Sequence, residues 1–229
     1  MHPRKARIET LRAMLAALER RHDRPPVPLG LGPLDAALPG GGLARGAVHA
    51  VLGGAAGGFA ALIAGRIDGA VLWCVDAGAR VGLYGPGLAA LKLDPARLIV
   101  ARCANRTDML WAMEEGLRCP ALAMVIGEPP GLVDLTASRR LQLAAEAGGG
   151  LGIVLGATRN GGSMPPNALE SRWRIDAAPA RAGWRWRVIL EKCRNAAAGA
   201  QWMVEWDETT GHCIVVAAPG DRPVAAQVA

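Results

Sequence analysis

Gly53-Gly54-Ala55-Ala56-Gly57-Gly58-Phe59-Ala60 stands where a phosphate-binding loop would stand. It follows a strand-like run at 47–52 and opens a helix-like run at 59–64. A working loop reads G-x-x-x-x-G-K-[ST] in that setting. Its glycines let backbone N–H groups cradle phosphates, its lysine pairs with the β and γ oxygens, and its hydroxyl holds Mg²⁺. Here the outer glycines fall on Gly53 and Gly58, the lysine position is Phe59 and the hydroxyl position is Ala60. The loop could still curve and aim N–H dipoles at an anion. A triphosphate of about four negative charges would meet those dipoles without a counter-ion or a metal ligand. Gly53, Gly57, Gly58, Phe59 and Ala60 therefore read as a vestigial loop whose space Phe59 fills with apolar bulk, and no bound cofactor is expected.

Other chemistry is sparse. The cysteines at 74, 103, 119, 193 and 213 are odd in number and form no C-x-x-C pair, which suits buried reduced thiols. The histidines at 2, 22, 49 and 212 are isolated, so no zinc site is expected. Thr136 and Ser138 have no His/Asp companion in sequence, which gives no support for a nucleophile.

The elements that must position the loop follow from periodicity. The chain has 229 residues, of which 51% are hydrophobic, enough for one sizeable core. Strand-like runs at 47–52, 70–75, 98–102, 121–127 and 151–155 alternate with helix-like runs at 58–66, 85–91, 107–118 and 136–147. Strands separated by helices of about ten residues are βαβ units, which predict a mostly parallel sheet covered on both faces. The helix at 107–118 is expected to turn Leu110, Met113 and Leu117 inward. The one at 136–147 should start from an Asp134 cap and stop at Gly148, with Leu141 and Leu143 inward. Beyond 156 the pattern changes to period two at 171–175, 184–190 and 202–206, as expected of antiparallel strands. In Trp184-Arg185-Trp186-Arg187 the indoles should share one face and the guanidinium groups the other.

Residues 4–21 read as an amphipathic helix whose stripe is Ile8, Leu11, Leu15 and Leu18, ringed by Arg4, Lys5, Arg12, Arg20 and Arg21. The Pro-rich run at 24–28 ends it as a stiff linker, so the stripe must fold back on the core or dock on a partner. The expected organisation is a helix and linker at 1–26, an α/β core at 27–217 and a flexible tail at 218–229. The net charge of +6 concentrates at 1–24 (+4) and 157–194 (+5), which suits a polyanionic partner or solvated faces. No run reaches the length of a membrane span and no secretory h-region opens the chain, so a cytoplasmic location is expected.

Several segments in order resemble the RecA-like recombinase core. Residues 30–38 through 41–46 resemble the lead into that family's ATP loop, and the degenerate loop follows at the right distance. Trp73-Cys74-Val75-Asp76-Ala77-Gly78 is similar to the family strand ending in Asp-Ala-Glu, with Gly78 in place of the catalytic glutamate. The nucleotide-sensing glutamine corresponds to Ala157, and the Walker B acid to Gly127 or Glu128. Asn167-Ala168-Leu169 resembles the exit of the second DNA-binding loop. Within that superfamily, segments 29–46, 84–89, 93–98, 110–119, 134–144 and 184–207 resemble the ImuA family, the inducible mutagenesis proteins of bacterial DNA-damage cassettes.

That resemblance implies an α/β, RecA-like, mostly parallel twisted sheet flanked by helices, with antiparallel C-terminal strands and a separate N-terminal helix. It implies a non-catalytic accessory protein in SOS-induced, error-prone translesion synthesis. The implied partners are a catalytically inactive Y-family polymerase homologue (ImuB-type), an error-prone C-family DNA polymerase, the RecA recombinase and single-stranded DNA. Arg139, Arg140 and Arg159 are the candidate DNA contacts, against the alternative that Arg139 and Arg140 are a solvated helix face. Ile8, Leu11, Leu15 and Leu18 are the candidate partner contacts. Two other readings stand beside this one: a recombinase-like ATPase with a rearranged loop, and a SulA-type division inhibitor that binds FtsZ.

Overall fold

The computed structural model describes residues 24–79, 82–156, 166–180, 183–207, 210 and 212–216. Ile8, Leu11, Leu15, Leu18, Ala157, Arg159 and the tail from 218 lie outside them. Nine strands form one sheet: β1 (Ala47–Leu52), β2 (Ala70–Asp76), β3 (Leu98–Cys103), β4 (Leu122–Gly127), β5 (Leu151–Gly156), β6 (Ser171–Ala178), β7 (Arg185–Cys193), β8 (Gln201–Asp207) and β9 (His212–Val216). Their order is β3-β2-β4-β5-β1-β6-β7-β8-β9. The pairings from β3 to β6 are parallel and those from β6 to β9 antiparallel.

Burial explains the division. Every residue of β1 is buried, as a parallel strand covered on both faces requires. One face of the sheet packs against α1 (Gly32–Ala36), α2 (Ala56–Ala64) and α3 (Gly85–Ala90) through a cluster that includes Leu34, Phe59, Ile63 and Leu88. The opposite face packs against α4 (Arg106–Arg118) and α5 (Leu135–Gly148) through Met109, Met113, Leu117 and Leu141. From β6 onward burial alternates. Trp173, Ile175, Trp186 and Val188 turn inward, and their neighbours Arg174 and Glu191 form an ion pair of 2.5 Å on the other face. Arg185 and Glu205 pair likewise at 2.6 Å.

The helix ends are built from local chemistry. Asn105 Oδ1 accepts from the Asp108 amide at 3.0 Å and Asp134 Oδ1 from the Ala137 amide at 2.8 Å, each closing an orphan N–H of its helix. Gly149, at φ 80°, ends α5 in the left-handed region. Gln142 Oε1 accepts from the Val48 amide at 3.0 Å, which locks α5 to the start of β1.

The structure departs from the sequence reading on α4, at Leu143 and in β9. On α4 Met109 joins Met113 and Leu117 in the buried stripe, and Leu110 packs half-buried at its edge, because the helix is set on the sheet through Met109, Met113, Gly116 and Leu117. Leu143, expected inward, is exposed, since α5 faces the sheet through Leu141, Ala144 and Ala145. The Pro-rich entry meets the core at Val27, which exchanges both backbone hydrogen bonds with Leu43 at 2.8 Å, and Val27 and Leu29 are buried. β9 is a further edge strand that the sequence pattern did not predict.

Candidate functional site

The loop lies at the carboxyl end of β1, where open α/β sheets place their binding clefts. Its geometry is tighter than the sequence register suggests. α2 starts at Ala56, so the stretch from Gly53 to Gly58 is already helical in its second half. Three amide groups that could have faced an anion are taken. Gly53 N–H donates to the Gly156 carbonyl at 3.2 Å, Ala55 N–H to Ile175 at 3.1 Å, and Ala56 N–H to Gly53 at 3.2 Å. The turn therefore offers an anion fewer free donors than an open loop of the same length.

Phe59 also differs from expectation. It is fully buried on the sheet side of α2, 5.9 Å from the Trp173 ring and 6.2 Å from Trp186 in an edge-on contact. It fills the core beneath the loop and leaves the cleft above open. Ala60 is buried beside it. The two outer glycines have packing reasons of their own. A Cβ on Gly58 would come within 2.8 Å of Trp186 Cζ2. Gly53, at φ 104°, would drive a Cβ into the Ile175 carbonyl.

The cleft that remains measures about 420 Å³ and is lined in part by Gly53, Gly57, Asp76, Glu128, Pro129 and Pro130. Among the described residues of its lining the two ionisable side chains are acids, and none is a lysine, arginine or histidine. Glu128 Oε1 accepts from the buried Trp73 indole N–H at 2.8 Å, and its own amide donates to the Cys74 carbonyl at 3.2 Å. Gly127 points the other way, toward Met113 on α4. Strand alternation thus places Glu128, and not Gly127, at the cleft. Gly78 is exposed beyond β2, its amide donating to Asp76 Oδ1 at 2.8 Å. Arg106 secures the cleft's rim by donating to the Pro130 and Leu132 carbonyls.

The two candidate arginines within the described residues differ in their surroundings. Arg140 pairs with the buried Glu114 of α4 at 2.6 Å, and the same carboxylate is held by Arg118. Arg139 is exposed on α5, and Arg159 lies outside the described residues. Among the described residues no group of three or more His, Cys, Asp or Glu could hold a metal ion, and no helix is long and apolar enough to cross a membrane.

Two features of the site region escaped sequence reasoning. Asp35 accepts from the Leu29 amide at 2.6 Å and from the Leu31 amide at 3.0 Å, so the segment leading to the loop is folded around its own carboxylate. The second is a buried network. His49 Nε2 lies 3.1 Å from the Ala44 carbonyl, which can only accept, so Nε2 carries the proton and Nδ1 accepts from the Ser171 hydroxyl at 2.7 Å. The Trp173 indole donates to the same hydroxyl at 2.8 Å. The signal for it was a histidine alone within an otherwise apolar strand.

The comparisons agree with this architecture. No family model matches. The crystal structure of the RadB recombinase is similar with a TM-score of 0.61 at 16% identity, covering 83% of this chain and 100% of that one, which shows the fold. Protein ImuA of Caulobacter vibrioides, in strains NA1000 / CB15N and ATCC 19089 / CIP 103742 / CB 15, is 37% identical over 84% of this chain and 87% of its own length. With that identity over that span, on a RecA-like sheet, the chain belongs to the ImuA family.

Proposed function

We propose that this chain is a non-catalytic accessory protein in DNA-damage-induced mutagenesis, acting as an adaptor in error-prone translesion synthesis. Its partners on this reading are an inactive Y-family polymerase homologue and an error-prone C-family polymerase, with the RecA recombinase as a third. The observation that carries the non-catalytic reading is the cleft at the end of β1. Among its described lining residues it presents Asp76 and Glu128 with no cationic side chain, and the position that would supply the lysine faces Trp173 and Trp186 in the core. A polyphosphate there would meet two carboxylates and a turn whose Gly53, Ala55 and Ala56 amides are already committed. A complete fold kept without that chemistry serves binding best.

Two measurements test the proposal. Titration calorimetry with Mg-ATP should give no saturable heat at micromolar protein. Installing the missing groups as Phe59→Lys with Ala60→Thr should not create binding. It should instead destabilise the fold by about 3–5 kcal/mol, because a buried aromatic is lost and an ammonium enters the core. Co-purification of the full chain with the polymerase homologue tests the adaptor half. Tight Mg-ATP capture with turnover, or no association with any of the three partners at micromolar concentration, would overturn the corresponding half.

A further inference from the structure

The outer face of the α4/α5 layer exposes three large apolar side chains: Trp111 (62% exposed), Leu135 (56%) and Leu143 (49%). Both helices connect parallel strands and so run in the same direction. The Arg140–Glu114 ion pair fixes them side by side. Trp111 sits one turn before Glu114, and Leu143 one turn after Arg140, so the two flank that joint. Leu135 lies about 12 Å from Leu143 along α5.

The chain enters the described body at one end of this face. Arg24 packs its guanidinium on Gly149, the residue that caps α5, and Arg24 and Pro26 share a pocket wall with Gln142 and Glu146 of the same helix. The 23 preceding residues carry the stripe Ile8, Leu11, Leu15 and Leu18. As a helix that stripe spans about 15 Å, close to the separation of Leu135 from Leu143. The three steps from Arg21 to Arg24 reach up to about 10 Å. A helix delivered this way would end beside the carboxyl termini of α4 and α5, bringing the charges of Arg20 and Arg21 toward the negative ends of both.

We propose that the apolar stripe of residues 8–18 docks in the same chain along the α4/α5 outer face, covering Trp111, Leu135 and Leu143 and running in the direction of α5. The docked segment buries the patch and makes the N-terminus a strap across the helical layer. The proposal needs no polymerase partner, so its test is independent of the adaptor reading.

The test places a photo-crosslinker, p-benzoylphenylalanine, at Trp111 and separately at Leu143 in the full chain. Each is irradiated as an equal mixture of isotopically light and heavy protein and mapped by mass spectrometry. Crosslinks from both positions into residues 1–24, as light–light and heavy–heavy products only, are expected. They should fall at least tenfold when Leu11→Asp and Leu15→Asp are introduced. Light–heavy products would assign the face to a second copy and overturn docking within one chain. Absence of any crosslink into residues 1–24 from both positions would overturn it outright.

Discussion

His49 is nearly solvent-free within the central strand, and burial pushes its imidazole down from 6.5 to about 4, against the smaller opposing effect of its bond to the Ala44 carbonyl. Its neutral form is specified by its partners, with one ring nitrogen donating to Ala44 and the other accepting from Ser171. Between those two values the unfolded chain holds the proton and the folded chain does not. The contribution is therefore complete above pH 6.5 and is lost as pH falls toward 4, amounting to about 3 kcal/mol at the acid end. Urea unfolding at pH 7.5 and pH 4.5 should show that loss, and His49→Gln should remove most of the pH dependence. An unchanged slope in the variant would mean that the acid sensitivity resides elsewhere. The thiols behave oppositely: burial pushes Cys74 up to about 12 and Cys213 up to about 11, so neither is a nucleophile near neutrality.

At the scale of the element, α2 separates a glycine kept for packing from one that is spare. Gly57 and Gly58 are both helical, but a Cβ at 57 meets nothing within 4 Å and one at 58 meets Trp186 at 2.8 Å. That indole cannot retreat easily, since Trp184 stacks on it at 4.0 Å between ring centroids. Gly57→Ala should stabilise by about 0.5–1 kcal/mol through helix propensity. Gly58→Ala should lose about 1–3 kcal/mol to overpacking, with the propensity gain offsetting part of it. Thermal melts of the two variants decide the matter, and equal effects would sink the packing account. The parallel strands were legible in the sequence because burial on both faces demands unbroken apolar runs such as 47–52. The caps were legible at Asp134 because a carboxylate beside a helix start has a single local use. The direction of Phe59 was not legible, since a motif register does not say that the helix opens at Ala56, and that start sets which face Phe59 takes. Glu128 could not be told from Gly127 until the phase of β4 was known. β9 escaped because His212-Cys213-Ile214-Val215-Val216 is only five residues long, with weak alternation.

For the molecule as a whole, the sheet ends at β3 on one side and β9 on the other. Among the described residues β3 pairs on one side only, and it exposes Ile99 (53%) and Val100 (46%), which point to opposite faces of the sheet. Natural edges are usually blunted by charge, proline or a covering segment. Among the residues of β3 only Arg102 is charged, and none is proline. An edge of this kind can take an added strand, in which main-chain bonds supply affinity and the flanking side chains supply register. If the proposed adaptor uses it, Ile99→Lys with Val100→Lys should weaken capture of the polymerase homologue or self-association by at least about tenfold, equivalent to about 1.4 kcal/mol. Surface positions of this type should change the folding free energy by no more than about 0.5 kcal/mol each. Sedimentation of the chain alone and biolayer interferometry against each partner read the two effects separately. Retained affinity in a normally folded double variant would move the interface away from β3.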